Sequence, residues 1–124
     1  MKYTEINEES IDKLVNVFYP LVRVEPQLGP IFNGAIGTDD EHWVHHIEKI
    51  AGFWKTMILG KKMYEGVPIF AHKALMPFDI ELFDVWLGLF KDCLNRVYEE
   101  GPANEYYAFA NNIANNFKMV LFNR

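Results

Sequence analysis

Apolar residues recur three and four positions apart in the long stretches of this sequence, and no segment shows sustained alternation of apolar and polar residues. Such spacing places apolar side chains on one face of an α-helix, whereas alternation would indicate a β-strand. Glycine and proline separate the stretches, as is typical between helices. The sequence therefore predicts an all-α protein in which the two long C-terminal helices pack antiparallel.

The predicted helices cover approximately residues 7–22, 26–32, 40–59, 68–72, 78–100 and 103–121. Asn7 or Ser10 can cap the first of them. Pro20 falls inside this helix and removes one backbone hydrogen bond, so we expect a bend or an irregular turn near Tyr19. Glycine closes the third helix at Gly60, and Gly101-Pro102 is expected to separate the last two.

The chain has 124 residues, a length that suits one domain and can bury a core. We therefore expect a single domain over residues 1–124. Half of the residues are hydrophobic and 15% are aromatic, which fits either a well-packed helical core or a protein folded around a flat apolar ligand. The net charge of -5, with no basic block, argues against nucleic acid and anionic membranes as partners.

Cys93 is the only cysteine, which excludes an internal disulfide framework and fits a reducing compartment. We interpret it as a packing residue, because no Cys or His stands near it at metal-site spacing. Residues 1–8 include acidic side chains and lack the apolar segment of a signal peptide. No stretch approaches the length of a membrane span. We expect a cytoplasmic protein, and a monomer.

His72 is the residue that points most directly to a function. It follows residues 64–71, a short apolar segment interrupted by glycine and proline. A lone histidine there could bind the iron of a planar cofactor, because neutral imidazole is a common iron ligand and apolar neighbours can bury a porphyrin. Three polar side chains elsewhere could face the other side of the iron: Tyr19, His46 and Trp86. The alternative for each of the three is an ordinary core residue.

The helix over residues 40–59 contains three of the four histidines, and its periodicity distinguishes them. At ~100° per residue, its apolar side chains share one broad face: Trp43, Ile47, Ile50, Phe53, Trp54 and Met57. His46 falls on that face, His42 lies at its edge, and His45 lies on the opposite side. His46 is therefore the histidine that we expect to point inward.

Together these residues resemble the truncated haemoglobins of group III. The resemblance covers about residues 8–122, and its segments are Phe18-Tyr19, Val22-Arg23, residues 28–33 (LGPIFN), His46, Lys49, Phe53-Trp54, residues 64–68 before His72, and residues 83–87 (FDVWL). The Leu-Gly-Pro-Ile-Phe string, the Tyr-x-Gly-x-Pro approach to His72 and the spacing from His72 to Trp86 are fairly specific in combination.

By that resemblance, the expected fold is a two-over-two helical sandwich, shorter than a full globin, around haem b (iron protoporphyrin IX). His72 would match the proximal iron ligand, and Phe32 would match the phenylalanine that wedges the porphyrin. Lys49 would match a basic residue near a haem propionate, with a solvated surface lysine as the alternative. The distal polar set would be Tyr19, His46 and Trp86. Further contacts to the cofactor are expected from Ile50, Phe53, Tyr64 and Leu75.

The distal set suggests how a ligand would be held. Tyr19 and Trp86 can each donate a hydrogen bond, which is worth about 0.5–1.5 kcal/mol net, and His46 could be a third donor or a gate. The resemblance implies a haem protein that binds dioxygen or another diatomic ligand reversibly. The same donors would serve an enzyme that oxidises nitric oxide or reduces peroxide, using a separate reductase. A helical interaction module without a cofactor is a third possibility.

Overall fold

Five helices follow one another along the described chain: α1 over Glu8–Val24, α2 over Gly29–Ile36, α3 over Asp40–Leu59, α4 over Leu82–Val97 and α5 over Glu100–Phe122. The computed structural model describes residues 2–60 and 80–122. Within these ranges, β-type pairing is confined to one bridge between Tyr3 and Tyr98. The described chain is all-α, as predicted.

The helices form two packed pairs. Helix α1 lies against α3, α4 lies against α5, and contact between α1 and α4 joins the pairs, while α2 packs on α1 and α3. Buried aromatic side chains from four helices meet between the pairs: Phe18 of α1, Trp54 of α3, Phe90 of α4 and Tyr106 of α5. This is the two-over-two helical sandwich that the sequence predicts. None of the described helices is both long enough and apolar enough to span a membrane.

A capping box fixes the start of α1. The Asn7 side chain accepts a hydrogen bond from the Ser10 amide, and the Ser10 hydroxyl accepts one from the Asn7 amide, both at 2.8 Å. Helix α1 is not interrupted at Pro20 and continues to Val24. Pro20 is exposed, and the buried residues on either side of it, Tyr19 and Val22, hold this turn against the core.

Several predicted helix boundaries were wrong. Helix α2 begins at Gly29 and not near Pro26, since the Glu25 carboxylate accepts the amides of Gln27 and Leu28 and holds them in a turn. Helix α4 begins at Leu82, after a turn at Ile80 and Glu81, and the predicted start at residue 78 lies outside the described residues. Helix α5 includes Pro102, which is tolerated in the first helical turn, where backbone amides have no partner within the helix.

The N-terminal segment is attached to the connection between α4 and α5. The Tyr3 amide donates to the Val97 carbonyl at 2.8 Å, and the Glu99 amide donates to the Tyr3 carbonyl at 2.9 Å. Tyr98 is extended at this point, and its hydroxyl donates to Ser10 at 2.8 Å. These contacts end α4 at Val97, three residues before the predicted boundary.

Cys93 is fully buried on α4, and its neighbours are core residues. Burial raises the pKa of its thiol, which disfavours the reactive thiolate. This placement agrees with a packing residue. The predicted short helix over residues 68–72 lies outside the described residues.

Candidate functional site

An apolar pocket lies between the two helix pairs, and all five helices contribute to its walls. Its empty volume, which includes solvent at the open mouth, is about 850 Å³. The walls are mainly aliphatic and aromatic, with Phe32 from α2, Ile50 and Phe53 from α3, and Ile113 and Phe117 from α5. A pocket with such walls suits a flat apolar ligand.

Four side chains with polar hydrogens line this pocket from three helices: Tyr19 of α1, His46 and Trp54 of α3, and Trp86 of α4. The rings of Tyr19 and His46 meet edge-on, with their centroids 5.2 Å apart. Burial raises the pKa of the Tyr19 hydroxyl well above its ordinary value, so Tyr19 remains a neutral O–H donor at physiological pH. The pocket is therefore apolar on its walls and offers hydrogen-bond donors at one place.

The ring of Trp86 is held by two phenylalanines. Phe90, one helical turn further along α4, stacks on it with centroids 4.8 Å apart and planes at 9°. Phe18 of α1 meets it edge-on at 5.3 Å and 84°. Stacked and edge-to-face contacts are the favoured aromatic geometries. Trp86 therefore has a defined orientation at the pocket wall.

Arg23, at the end of α1, fixes the start of α3. Its guanidinium bonds the Asp40 carboxylate and the Thr38 carbonyl, both at 3.0 Å, and lies 5.1 Å from the centroid of the Trp43 ring. The Trp43 indole N–H in turn donates to the Gly37 carbonyl at 2.9 Å. Because Trp43 is one helical turn before His46, and their rings are 5.6 Å apart, this set of contacts positions His46 against Tyr19.

The Leu-Gly-Pro-Ile-Phe-Asn string has a structural explanation at Gly29. A Cβ atom at this position would lie 2.7 Å from the Arg23 carbonyl oxygen, so a larger residue would force α2 away from α1. The Asn33 side chain donates to the same carbonyl at 3.2 Å. Pro30 stands in the first turn of α2, where proline is favoured. The close approach of α2 to α1 places Phe32 at the pocket wall.

The structure brings together six of the residues that the sequence singles out. They all line the pocket: Tyr19, Phe32, His46, Ile50, Phe53 and Trp86. His42 and His45 are exposed, and His42 bonds the Asp39 carboxylate. Lys49 is exposed on α3 and is not among the lining residues. His72, Tyr64 and Leu75 lie outside the described residues.

Sequence reasoning overlooked the small residues of the pocket. Ala110 and Ala114 of α5 line it, together with Leu28 before α2. The two alanines stand four residues apart, on one face of the helix, which could have indicated a place where something packs closely.

No family model matches the sequence. The Group 3 truncated hemoglobin ctb of Campylobacter jejuni is 48% identical to it over 122 residues, which are 98% of this chain and 96% of the relative. The chain belongs to the group 3 truncated haemoglobins. A second relative of this truncated haemoglobin, the Group 2 truncated hemoglobin YjbI of Bacillus subtilis, is 31% identical over 109 residues, which are 84% of this chain and 76% of the relative.

The fold of this truncated haemoglobin agrees with a solved structure. The crystal structure of group III truncated hemoglobin from Campylobacter jejuni matches it with a TM-score of 0.95, covering 98% of this chain and 96% of that chain at 48% identity. The resemblance inferred from the sequence is therefore confirmed, and so is the fold class. Membership of the family implies a haem cofactor. The apolar walls and the polar side chains that the described residues contribute to the pocket fit such a group.

Proposed function

We propose that this truncated haemoglobin binds haem b in the pocket and holds dioxygen, or another small diatomic ligand, reversibly beside Tyr19, His46 and Trp86. One observation carries the proposal: Tyr19, His46 and Trp86, from three separate helices, are among the few side chains with polar hydrogens that line one otherwise apolar pocket. A mainly apolar pocket with a few convergent hydrogen-bonding side chains is typical of a ligand site.

Haem would be held by residues of two kinds. His72 is the proposed iron ligand, in its neutral form with the other ring N–H donated to an acceptor. Phe32, Ile50 and Phe53 would contact the macrocycle, and Tyr64 and Leu75 are proposed to do the same. Lys49, one residue before Ile50 and exposed, would reach a propionate with its ammonium group while its stem lies on the pocket edge. When bound, haem supplies the coordination bond to the diatomic ligand.

The distal donors would act on the negative character that dioxygen acquires. Tyr19 O–H and Trp86 N–H are fixed in place by the rings around them, so they need little reorganisation to donate. Each hydrogen bond contributes about 0.5–1.5 kcal/mol, and more toward partial charge. Two such bonds slow ligand loss by about an order of magnitude or more.

His46 is more exposed than Tyr19. Tyr19 is buried, whereas His46 is partly exposed and stands at the outer edge of the Tyr19 ring. Its position fits a third donor to the ligand and also fits a gate whose ring turns toward solvent. Ligand association rates distinguish the two roles, because a gate limits entry and a donor limits loss.

The visible spectrum of the purified protein tests the proposal. The expected result is a Soret band, and a reduced protein whose spectrum changes on adding dioxygen and returns when dioxygen is removed. Protein that is purified without haem and does not take up added haem would contradict it.

Nitric oxide oxidation or peroxide reduction is the second function that these donors support, because the same hydrogen bonds polarise such ligands. Turnover with a reductant and either compound separates an enzyme from a carrier. The chain shows no nucleotide-binding motif, so electrons would come from a separate reductase.

We also propose a cytoplasmic location and a monomeric state, in line with the sequence.

A further inference from the structure

We propose that aromatic side chains behind the pocket form a route for single electrons between the pocket and the protein surface, and that Tyr3 is the surface site where a one-electron reductant acts. We call this series the aromatic route. It consists of six residues: Trp86, Phe90, Trp54, Tyr106, Tyr98 and Tyr3. The inference rests on the proposed binding of haem and extends the peroxide-reduction alternative by assigning it a reductant site far from the pocket.

The inner half of the route begins at the pocket wall. Trp86 stacks on Phe90 with centroids 4.8 Å apart, and Phe90 stacks on Trp54 at 5.5 Å. Trp54 meets Tyr106 at 5.1 Å, and Tyr106 also meets Phe90, at 5.5 Å. Indole and phenol rings are the side chains that give up one electron most readily. An electron that moves between Trp86 and the rings of Trp54 or Tyr106 therefore passes Phe90, whose ring is not readily oxidised.

The outer half of the route ends at the surface. Tyr106 and Tyr98 have centroids 5.7 Å apart, and Tyr98 and Tyr3 have centroids 6.2 Å apart. Tyr106 and Tyr98 are almost completely buried, whereas Tyr3 is partly exposed. The backbone hydrogen bonds of Tyr3 to Val97 and Glu99 hold it next to Tyr98. The rings therefore continue without a gap from the pocket to a residue that solvent can reach.

Proton acceptors distinguish the end of the route from its middle. Oxidation of a tyrosine is favoured where a base takes the phenolic proton. The Tyr106 hydroxyl has no hydrogen-bond partner among the described residues, and Tyr98 donates to the hydroxyl of Ser10, which is a weak base. Tyr3 is partly exposed, so water can take its phenolic proton. We therefore expect the tyrosyl radical to localise on Tyr3.

The chemistry balances with two named reactants. Reduction of one hydrogen peroxide to two waters takes two electrons and two protons, and the protons come from solvent. Each electron passes inward through the aromatic route from Tyr3, which releases its phenolic proton to solvent. An enediol reductant such as ascorbate then gives the Tyr3 oxygen one electron and one proton, which restores the phenol. Two such cycles complete one turnover.

The test locates oxidation in the haem-loaded full chain. The protein, with haem loading verified by its Soret band, is mixed with hydrogen peroxide and a nitroso spin trap, and labelled tyrosines are identified by peptide mass spectrometry. We expect the label on Tyr3, and we expect ascorbate to suppress it. Tyr106→Phe and Tyr98→Phe keep a ring in place but remove an oxidisable one at positions that the route cannot bypass, so each should lower the label on Tyr3 severalfold.

Tyr107→Phe is the matched control. Tyr107 lies on α5 beside Tyr106 and contacts the Lys91 ammonium, and it is not a member of the route. Its substitution should leave the label on Tyr3 unchanged, and haem-free protein should show no label. Circular dichroism verifies that each variant is folded.

Two results would overturn the inference while leaving haem binding intact. One is an equal label on Tyr3 in wild type, Tyr106→Phe and Tyr98→Phe, which would mean that Tyr3 is oxidised from solution. The other is a haem-loaded protein that consumes peroxide without labelling Tyr3. Failure of the proposed function is visible earlier, as the absence of a Soret band before peroxide is added.

Discussion

The ring of His46 meets the ring of Tyr19 edge-on, with centroids 5.2 Å apart and planes at 88°. This contact joins α3 to α1 at the pocket and is supported by Trp43, whose ring lies 5.6 Å from His46 and 6.2 Å from Tyr19. The orientation of the His46 ring therefore depends on that of the Tyr19 ring, and the reverse. Substitutions at the pocket are expected to show coupled effects for this reason.

His46→Leu is expected to change the rates of ligand association and dissociation, because it removes a polar side chain from the pocket. His45→Leu is the matched control, since His45 is adjacent in sequence and exposed, and it should leave both rates nearly unchanged. Flash photolysis and stopped-flow mixing measure them. An effect from His45→Leu without one from His46→Leu would show that the pocket assignment is wrong.

Tyr19→Phe and Trp86→Phe are each expected to shift the dioxygen dissociation rate severalfold, corresponding to roughly 1–2 kcal/mol. Each removes a donor and keeps an aromatic ring. The double variant should not be additive, because both donors act on one small ligand. The sign can differ between the two, since loss of one donor lets the other re-aim. Three stopped-flow rates equal to that of wild type would place these side chains in the core alone.

His72→Ala is expected to lose stable haem, because it removes the proposed iron ligand. Added imidazole should partly restore the absorption spectrum by supplying the missing ring. Titration of the apoprotein with haem measures the loss and the rescue. A variant that keeps an unchanged reduced spectrum would rule out His72 as the ligand.

Gly29→Ala is expected to destabilise the fold by about 1–3 kcal/mol, as overpacking does, because its Cβ would lie 2.7 Å from a backbone oxygen. Gly88→Ala is the control, since Gly88 is exposed within α4 and nothing lies within 4 Å of the added atom. That change should stabilise the helix by roughly 0.5–1 kcal/mol. Urea unfolding of the two variants compares them, and equal free energies of unfolding would contradict the close approach of α2 to α1.

Alkaline pH is expected to destabilise the protein through its buried tyrosines. Burial raises the pKa of Tyr98 to about 12 and also raises the pKa of Tyr19 and of Tyr106. The stabilisation is complete below the unfolded pKa, near 10, and is lost as pH rises toward the folded value, because the unfolded chain releases its protons first. Denaturant unfolding at stepped pH measures this. Tyr98→Phe should reduce the slope above pH 10 by the contribution of one proton, and an unchanged slope would contradict the shift.

Much of the helical organisation could be predicted from the sequence, because the signals are local. The limits of α3 at Asp40 and Leu59 are as predicted, and the helical period places His46 on the pocket side and His45 outside. Asn7 caps α1 as expected. Capping residues, terminal glycines and apolar periodicity act within a few residues of one another, so they can be recognised in a single sequence. The family could also be recognised from short motifs.

Only the tertiary structure decided how separate helices come together. The end of α4 at Val97 depends on Tyr3, far away in the chain, whose backbone pairs on either side of Tyr98. Gly29 is needed because another helix approaches it, and Pro20 is accommodated because the core holds the turn around it. The aromatic rings that link the pocket to Tyr3 come from different helices. Local periodicity fixes the face of a helix that is buried, but the packing of one helix against another determines which residues meet there.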